Sequence, residues 1–221
     1  NYYCSPRDPT PSPSFQPTIY QSTVRYLLNC LVTLCPSLGL SLLLRQFTSP
    51  KTNRPVDLCD LPPGYHLDNL CYKGSTLQSY CWGTNHKTIY LMHGWESQAA
   101  HLSSLIPVLI QTGYRVIAFD APGHGHSSKR ATHLADIAEA FKHIILHYGR
   151  PHAIVAHACG ATATTLMLKQ NPQLIPDKLI LIAPMRSLVS QLQDCATAQA
   201  LLPTLTRQLE ALIGMPITDT D

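Results

Sequence analysis

The stretch Ile154-Val155-Ala156-His157-Ala158-Cys159-Gly160-Ala161 (IVAHACGA) decides how the rest of the chain is read. It closes a short apolar run and then crowds small residues around one position, the outline of a strand, a sharp turn and a helix start. Small side chains on both sides of the turning residue permit close strand-to-helix packing. That turning residue is Ala158, and a methyl group cannot attack a carbonyl.

Working outward, the same texture repeats. Thr88 to His93 is a short apolar run that stops at Gly94, and Ala100 to Thr112 is a predicted helix with Leu102, Leu105, Ile106, Leu109 and Ile110 on its apolar face. Tyr114 to Asp120 (YRVIAFD) reads as a buried strand, Leu134 to Tyr148 as a helix and Ala153 to Ala158 as a strand. Ala161 to Lys169 then reads as a helix and Lys178 to Pro184 (KLILIAP) as a strand. Continuous apolar strands alternating with helices specify a parallel sheet covered on both faces. Before them, Tyr65 to Tyr72 and Thr76 to Gly83, separated by Lys73-Gly74-Ser75, alternate as an antiparallel hairpin does. The expected fold class is α/β, a mostly parallel sheet with an antiparallel hairpin at its first edge, helices on both faces, and no further strand after residue 184.

The flanks differ in character. Residues 1–17 carry five prolines and read as a weakly ordered lead-in. Residues 18–47 read as two short amphipathic helices, because Asn29, Thr33, Ser37 and Ser41 recur every four residues and Pro36 and Gly39 break the middle. The apolar run 26–44 is nonetheless about long enough to reach across a bilayer, so contact with a membrane surface stays open beside it. Residues 65–187 form the core, and 188–221 are helical in pattern, with Leu201, Leu202, Leu205, Leu209, Leu212 and Ile213 on one face.

Composition narrows the function classes. Of 221 residues, 45% are hydrophobic and 13% charged, and the net charge of +3 is not gathered into a basic run, which argues against nucleic acid as a partner. No zinc-type Cys/His spacing occurs, and His143 and His147 stand one helical turn apart without a third ligand, so no metal or other cofactor is expected. The eight cysteines form no CxxC, and most read as small buried hydrophobes of a reducing, cytoplasmic compartment, with a disulfide among Cys59, Cys71 and Cys81 left open. No oligomeric state is assigned.

Reactive groups of such sheets gather at the carboxyl ends of the strands. Three strand ends carry motifs: His93-Gly94-Trp95-Glu96, Asp120-Ala121-Pro122-Gly123-His124-Gly125-His126-Ser127, and Ala156-His157-Ala158-Cys159-Gly160. Together these segments resemble the α/β-hydrolase fold, and LMHGW, VIAFDAPGHGHS and IVAHACGA look most like bacterial serine-lipase-like α/β-hydrolases, over residues 65–187. The family pattern at the turn is G-x-S-x-G. Here Ala156 replaces the first glycine and Ala158 the nucleophilic serine.

The resemblance implies that the backbone amides of Trp95 and Cys159 form an oxyanion hole, which survives the alanine because both donors are main-chain. His93, Gly94, Gly123, Gly125, His157 and Gly160 are implied as supporting residues. Asp120 is expected to anchor the loop after its strand by accepting backbone N–H bonds, and Ser127 to cap the following helix. In this fold the acid and histidine follow the nucleophile, and His157 is the last histidine of the sequence. Three readings result: an ester hydrolase lineage lacking its nucleophile, a non-catalytic member binding an acyl or ester ligand or a protein partner, and a membrane-associated protein held by residues 26–44.

Overall fold

The computed structural model describes residues 35, 38, 45, 48–51, 55, 57–128, 131–184 and 207. The chain divides into two compact units, 1–40 and 41–221, and every element below belongs to the second. Expectations for 1–17, for 188–221 and for nearly all of 18–47 lie outside the described residues. Among those described, no helix is long and apolar enough to cross a membrane.

Six strands form one sheet: β1 (Tyr65–Tyr72), β2 (Ser75–Trp82), β3 (Thr88–Met92), β4 (Arg115–Phe119), β5 (Ala153–His157) and β6 (Lys178–Ile182). Their order is β1-β2-β4-β3-β5-β6. The last four are mutually parallel, while β1–β2 and β2–β4 pair antiparallel. The α-helices are α1 (Ile106–Gln111), α2 (Leu134–Tyr148) and α3 (Cys159–Gln170).

The period of two explains why the central strands are apolar throughout. Tyr90, Met92, Ile117, Phe119, Ile154 and Ala156 face one side, against Phe141 and Ile144 of α2 and Leu166 and Met167 of α3. Their neighbours Ile89, Leu91, Val116, Ala118, Ala153 and Val155 face the other side, with Trp82, Ala99 and Ile106. Both faces are covered, so neither parity has room for a polar residue. Among the described residues, coverage stops at β6, where Leu179, Ile180, Leu181 and Ile182 are 37–50% exposed.

Three local readings are corrected. The hairpin turn holds two residues, not three: Lys73 and Gly74 both take positive φ (48° and 71°), the requirement of a twist-matching tight turn, and Ser75 already pairs with Tyr72. The helix expected over 100–112 is a 3-10 segment (Ala99–Leu105) followed by α1, with Pro107 in the first turn of α1, where its missing N–H leaves no bond unmade. The hairpin register sets Cys71 opposite Thr76 and Cys81 opposite His66. Five residues of strand, about 17 Å, then part these two thiols, too far for a disulfide.

A buried polar tie fastens the hairpin to α2. The Asp136 carboxylate accepts from the Tyr72 hydroxyl at 3.0 Å, Lys73 Nζ at 3.1 Å and the Thr132 hydroxyl at 3.1 Å. Asp136→Ala strips the Tyr72 and Thr132 hydroxyls of this acceptor, and a loss of about 2 kcal/mol is expected, read from the urea midpoint. An unchanged midpoint would show the tie to be energetically idle.

Candidate functional site

Strand β5 runs into α3 through a single strained residue. Ala158 has φ 49° and ψ −121°, a region side-chain-bearing residues rarely enter, costing on the order of 1–3 kcal/mol. It is held there from both sides: its N–H donates to Ile182 C=O at 2.9 Å, and its own C=O accepts from Ala161 and Thr162. Ala158 itself is half-buried.

The neighbouring glycine follows from this packing. A Cβ on Gly160 would lie 2.1 Å from the His93 carbonyl oxygen and 2.8 Å from Met92 Cγ, so α3 can begin against the end of β3 only without one. The β3 loop returns the contact. A Cβ on Gly94 would stand 3.2 Å from the Ala158 methyl and 3.3 Å from His157 Nδ1, which places the His-Gly turn directly beside the elbow. Neither the Trp95 nor the Cys159 amide donates to a protein group among the described residues. His157 is half-buried beside Gly94, as its position in the turn requires.

His93 and Asp120 lock the two flanking loops together. His93 is 1% exposed; its Nδ1–H donates to Gly94 C=O at 2.7 Å, which leaves Nε2 to accept the Ala121 N–H at 2.9 Å. Burial pushes its pKa down to about 4, so the ring is a neutral structural acceptor. Asp120 accepts from Ala99 N–H, His126 N–H and the Tyr80 hydroxyl, the backbone anchoring expected of it. Desolvation raises its carboxyl against those bonds. The carboxylate fills the space beside Gly125, where a Cβ would come within 2.3 Å of its carbon. Gly123 carries positive φ in the same loop, and its N–H donates to Ser128 C=O.

Ser127 does not cap a helix. Its hydroxyl donates to Asp120 C=O and accepts the Gln78 N–H at 2.9 Å, stitching the loop to β2. The cap of α2 is His133, whose Nδ1 accepts the Asp136 N–H, because the chain reaches the helix six residues after Ser127.

Trp95 packs at the rim of the core, with its ring edge-to-face on His124, centroids 5.1 Å apart. His124 is buried against both Trp95 and His93 and is likewise driven down to about 4. Burial pushes the Cys159 thiol up to about 12, leaving a thiolate fraction of about 10⁻⁵ at neutral pH, far too little for a nucleophile. Glu96 is exposed at φ 52° and accepts the Lys51 N–H, so it braces the loop as well as facing solvent. Sequence reasoning missed one further pair in this loop, Ser97 and His101.

Comparison with known proteins agrees with this fold. Residues 83–216 match the family described as serine aminopeptidase, S33. A serine hydrolase-like protein of Danio rerio is 24% identical over 147 residues, 62% of this chain and 41% of that protein. A non-heme haloperoxidase of Rhodococcus erythropolis is 28% identical over 111 residues, 42% of this chain and 40% of its own. Among solved structures, the thioesterase domain from the curacin biosynthetic pathway superposes with TM-score 0.52 at 22% identity, covering 68% of this chain and 60% of that domain. A probable hydrolytic enzyme of Pseudomonas aeruginosa PAO1 superposes with TM-score 0.50 at 26% identity, over 63% and 47%. The chain spans about two-fifths of the length of the curated relatives just named. With a family match over more than half its length and the strained turn at the end of β5, the chain belongs to the serine aminopeptidase S33 family of α/β-hydrolases.

Proposed function

We propose that this chain is a carboxylic-ester hydrolase scaffold, lipase- or esterase-like, in which Ala158 has removed the nucleophile while the binding pocket persists. The observation that carries this reading is the alanine itself, half-buried and held at φ 49° where the family pattern has serine. In acyl transfer a serine hydroxyl would add to the carbonyl carbon while two amides took up the developing negative charge, each contributing about 3 kcal/mol. Here the Trp95 and Cys159 amides, which donate to no protein group among the described residues, would hold a carbonyl or carboxylate oxygen, with no attacking hydroxyl at position 158.

Those free amides favour a second reading of the same site, a non-catalytic member that binds a small acyl or ester ligand, or a protein partner. Supporting positions are His93, Gly94, Asp120, Gly123, Gly125, Ser127, His157 and Gly160. The site calls for no metal or other cofactor. We further propose a cytoplasmic protein without a nucleic-acid partner, with residues 26–44 as the segment that would touch a membrane surface.

Steady-state hydrolysis of p-nitrophenyl butyrate by the 221-residue chain is expected to equal the background rate. Ala158→Ser in the same chain should leave it there, since no histidine follows position 158 to serve as base. Sustained turnover by the unmodified chain that Cys159→Ala abolishes would overturn the reading and make the buried thiol the nucleophile.

A further inference from the structure

The loop after β3 carries a second hydroxyl–imidazole arrangement that the missing serine does not account for. Ser97 Oγ lies 2.9 Å from His101 Nδ1. With His101 in its Nε2–H tautomer, the hydroxyl donates to Nδ1 and is poised to lose its proton there. A hydroxyl within hydrogen-bond reach of an imidazole is the geometric condition for an activated nucleophile.

The backbone beneath the pair is fixed at three points. Ser97 N–H donates to Gly94 C=O at 3.3 Å, His101 N–H to Gln98 C=O at 3.0 Å, and between them Ala99 N–H to the Asp120 carboxylate at 2.8 Å. The pair is therefore anchored through the buried Asp120, not merely through a surface turn. It is also reachable, with Ser97 half-buried and His101 exposed. Ser97 stands one tight turn from Gly94, whose backbone abuts the Ala158 methyl, so it lies on the same edge of the sheet as the elbow.

We propose that Ser97, activated by His101, is an acylation site that takes one acyl group per chain from carboxylic esters with good leaving groups. In that step the Ser97 Oγ–carbon bond forms and the ester carbon–oxygen bond breaks. The hydroxyl proton passes to His101 Nδ1 and on to the departing alkoxide, so that alcohol is released and no oxidant or reductant is consumed. Among the described residues no carboxylate supports His101 as a third member, and each chain reacts once instead of turning over.

The test is to treat the full chain with an alkyl fluorophosphonate, which reacts with activated hydroxyls by forming an oxygen–phosphorus bond and expelling fluoride, and to locate the adduct by peptide mass. One phosphonyl group on the peptide containing Ser97 is expected. Ser97→Ala should remove that adduct, and His101→Gln, which keeps a polar side chain but no base, should slow labelling at least ~100-fold. No adduct on Ser97 in the unmodified chain would overturn the proposal, as would labelling of His101→Gln at the parent rate. The reading of the Ala158 pocket fails separately, by steady-state turnover that survives Ser97→Ala.

Discussion

Gly160→Ala is expected to lower the stability of the chain by about 3 kcal/mol, because the tightest contact of the new methyl is with backbone, which cannot swing aside as a side chain can. The nearest atoms are the His93 carbonyl oxygen at 2.1 Å, Met92 Cγ at 2.8 Å and the His93 carbonyl carbon at 3.0 Å, at the end of a fully buried strand. To make room, α3 must lift from β3, which also moves the Cys159 amide off the elbow. For a chain of this size the melting temperature should fall by about 10 °C. Gly113→Ala is the matching control: at φ 85° with nothing within 4 Å, it should lose only about 1 kcal/mol through backbone strain. Equal losses in the two variants would mean that the close approach of α3 to β3 is wrong.

The second large effect is acid lability. His93 and His124, 1% and 2% exposed with ring centroids 5.3 Å apart, are each pushed down to about 4 by burial. Unfolded, each imidazole would take up a proton below about 6.5. Between those values the unfolded chain binds more protons than the folded one, so stability is full above neutrality, falls as pH drops through 6.5, and levels off near 4. One such histidine corresponds to about 3 kcal/mol across that window. Asp120, whose carboxyl is raised by the same burial, contributes in the opposite sense.

His124→Leu should flatten part of the slope. It replaces a buried ring whose Nε2 has no protein partner among the described residues, whereas His93 Nε2 holds the Ala121 amide. Urea midpoints at pH 7.5, 6, 5 and 4.5 measure the effect. A midpoint independent of pH over that range would mean that the two imidazoles are not buried as described.

The elements that were legible in the sequence are those where burial is periodic and complete. Ile89, Leu91, Val116, Ala118, Val155 and their alternates have to be apolar because both faces of the sheet are covered, and so YRVIAF and AIVAH read as strands without ambiguity. The elbow was legible for a different reason: Gly160 answers a steric demand made by His93, and such demands leave small residues at fixed spacing.

What stayed hidden depends on contacts between distant segments. Ser127 bonds to Gln78, which lies 49 residues away, and no local pattern distinguishes that from a helix cap. The 3-10 course of Ala99–Leu105 comes from a loop anchored through Ala99 to Asp120, while its leucines still fall at helical spacing. Ser97 and His101, four residues apart, would meet on any helical turn, so their spacing alone carried no signal until the turn at Gly94–Ser97 was seen.

The central proposal, that the Trp95 and Cys159 amides, which donate to no protein group among the described residues, would hold a carbonyl or carboxylate oxygen beside an inert methyl, is tested most directly by amide chemical shifts. Titrating the ¹⁵N-labelled chain with butyrate at pH 7.5 should move the Trp95 and Cys159 resonances along one common saturation curve, while those of residues on β1 stay in place. If the two amides do not respond, or if they respond with unrelated affinities, the two turns do not share a binding site.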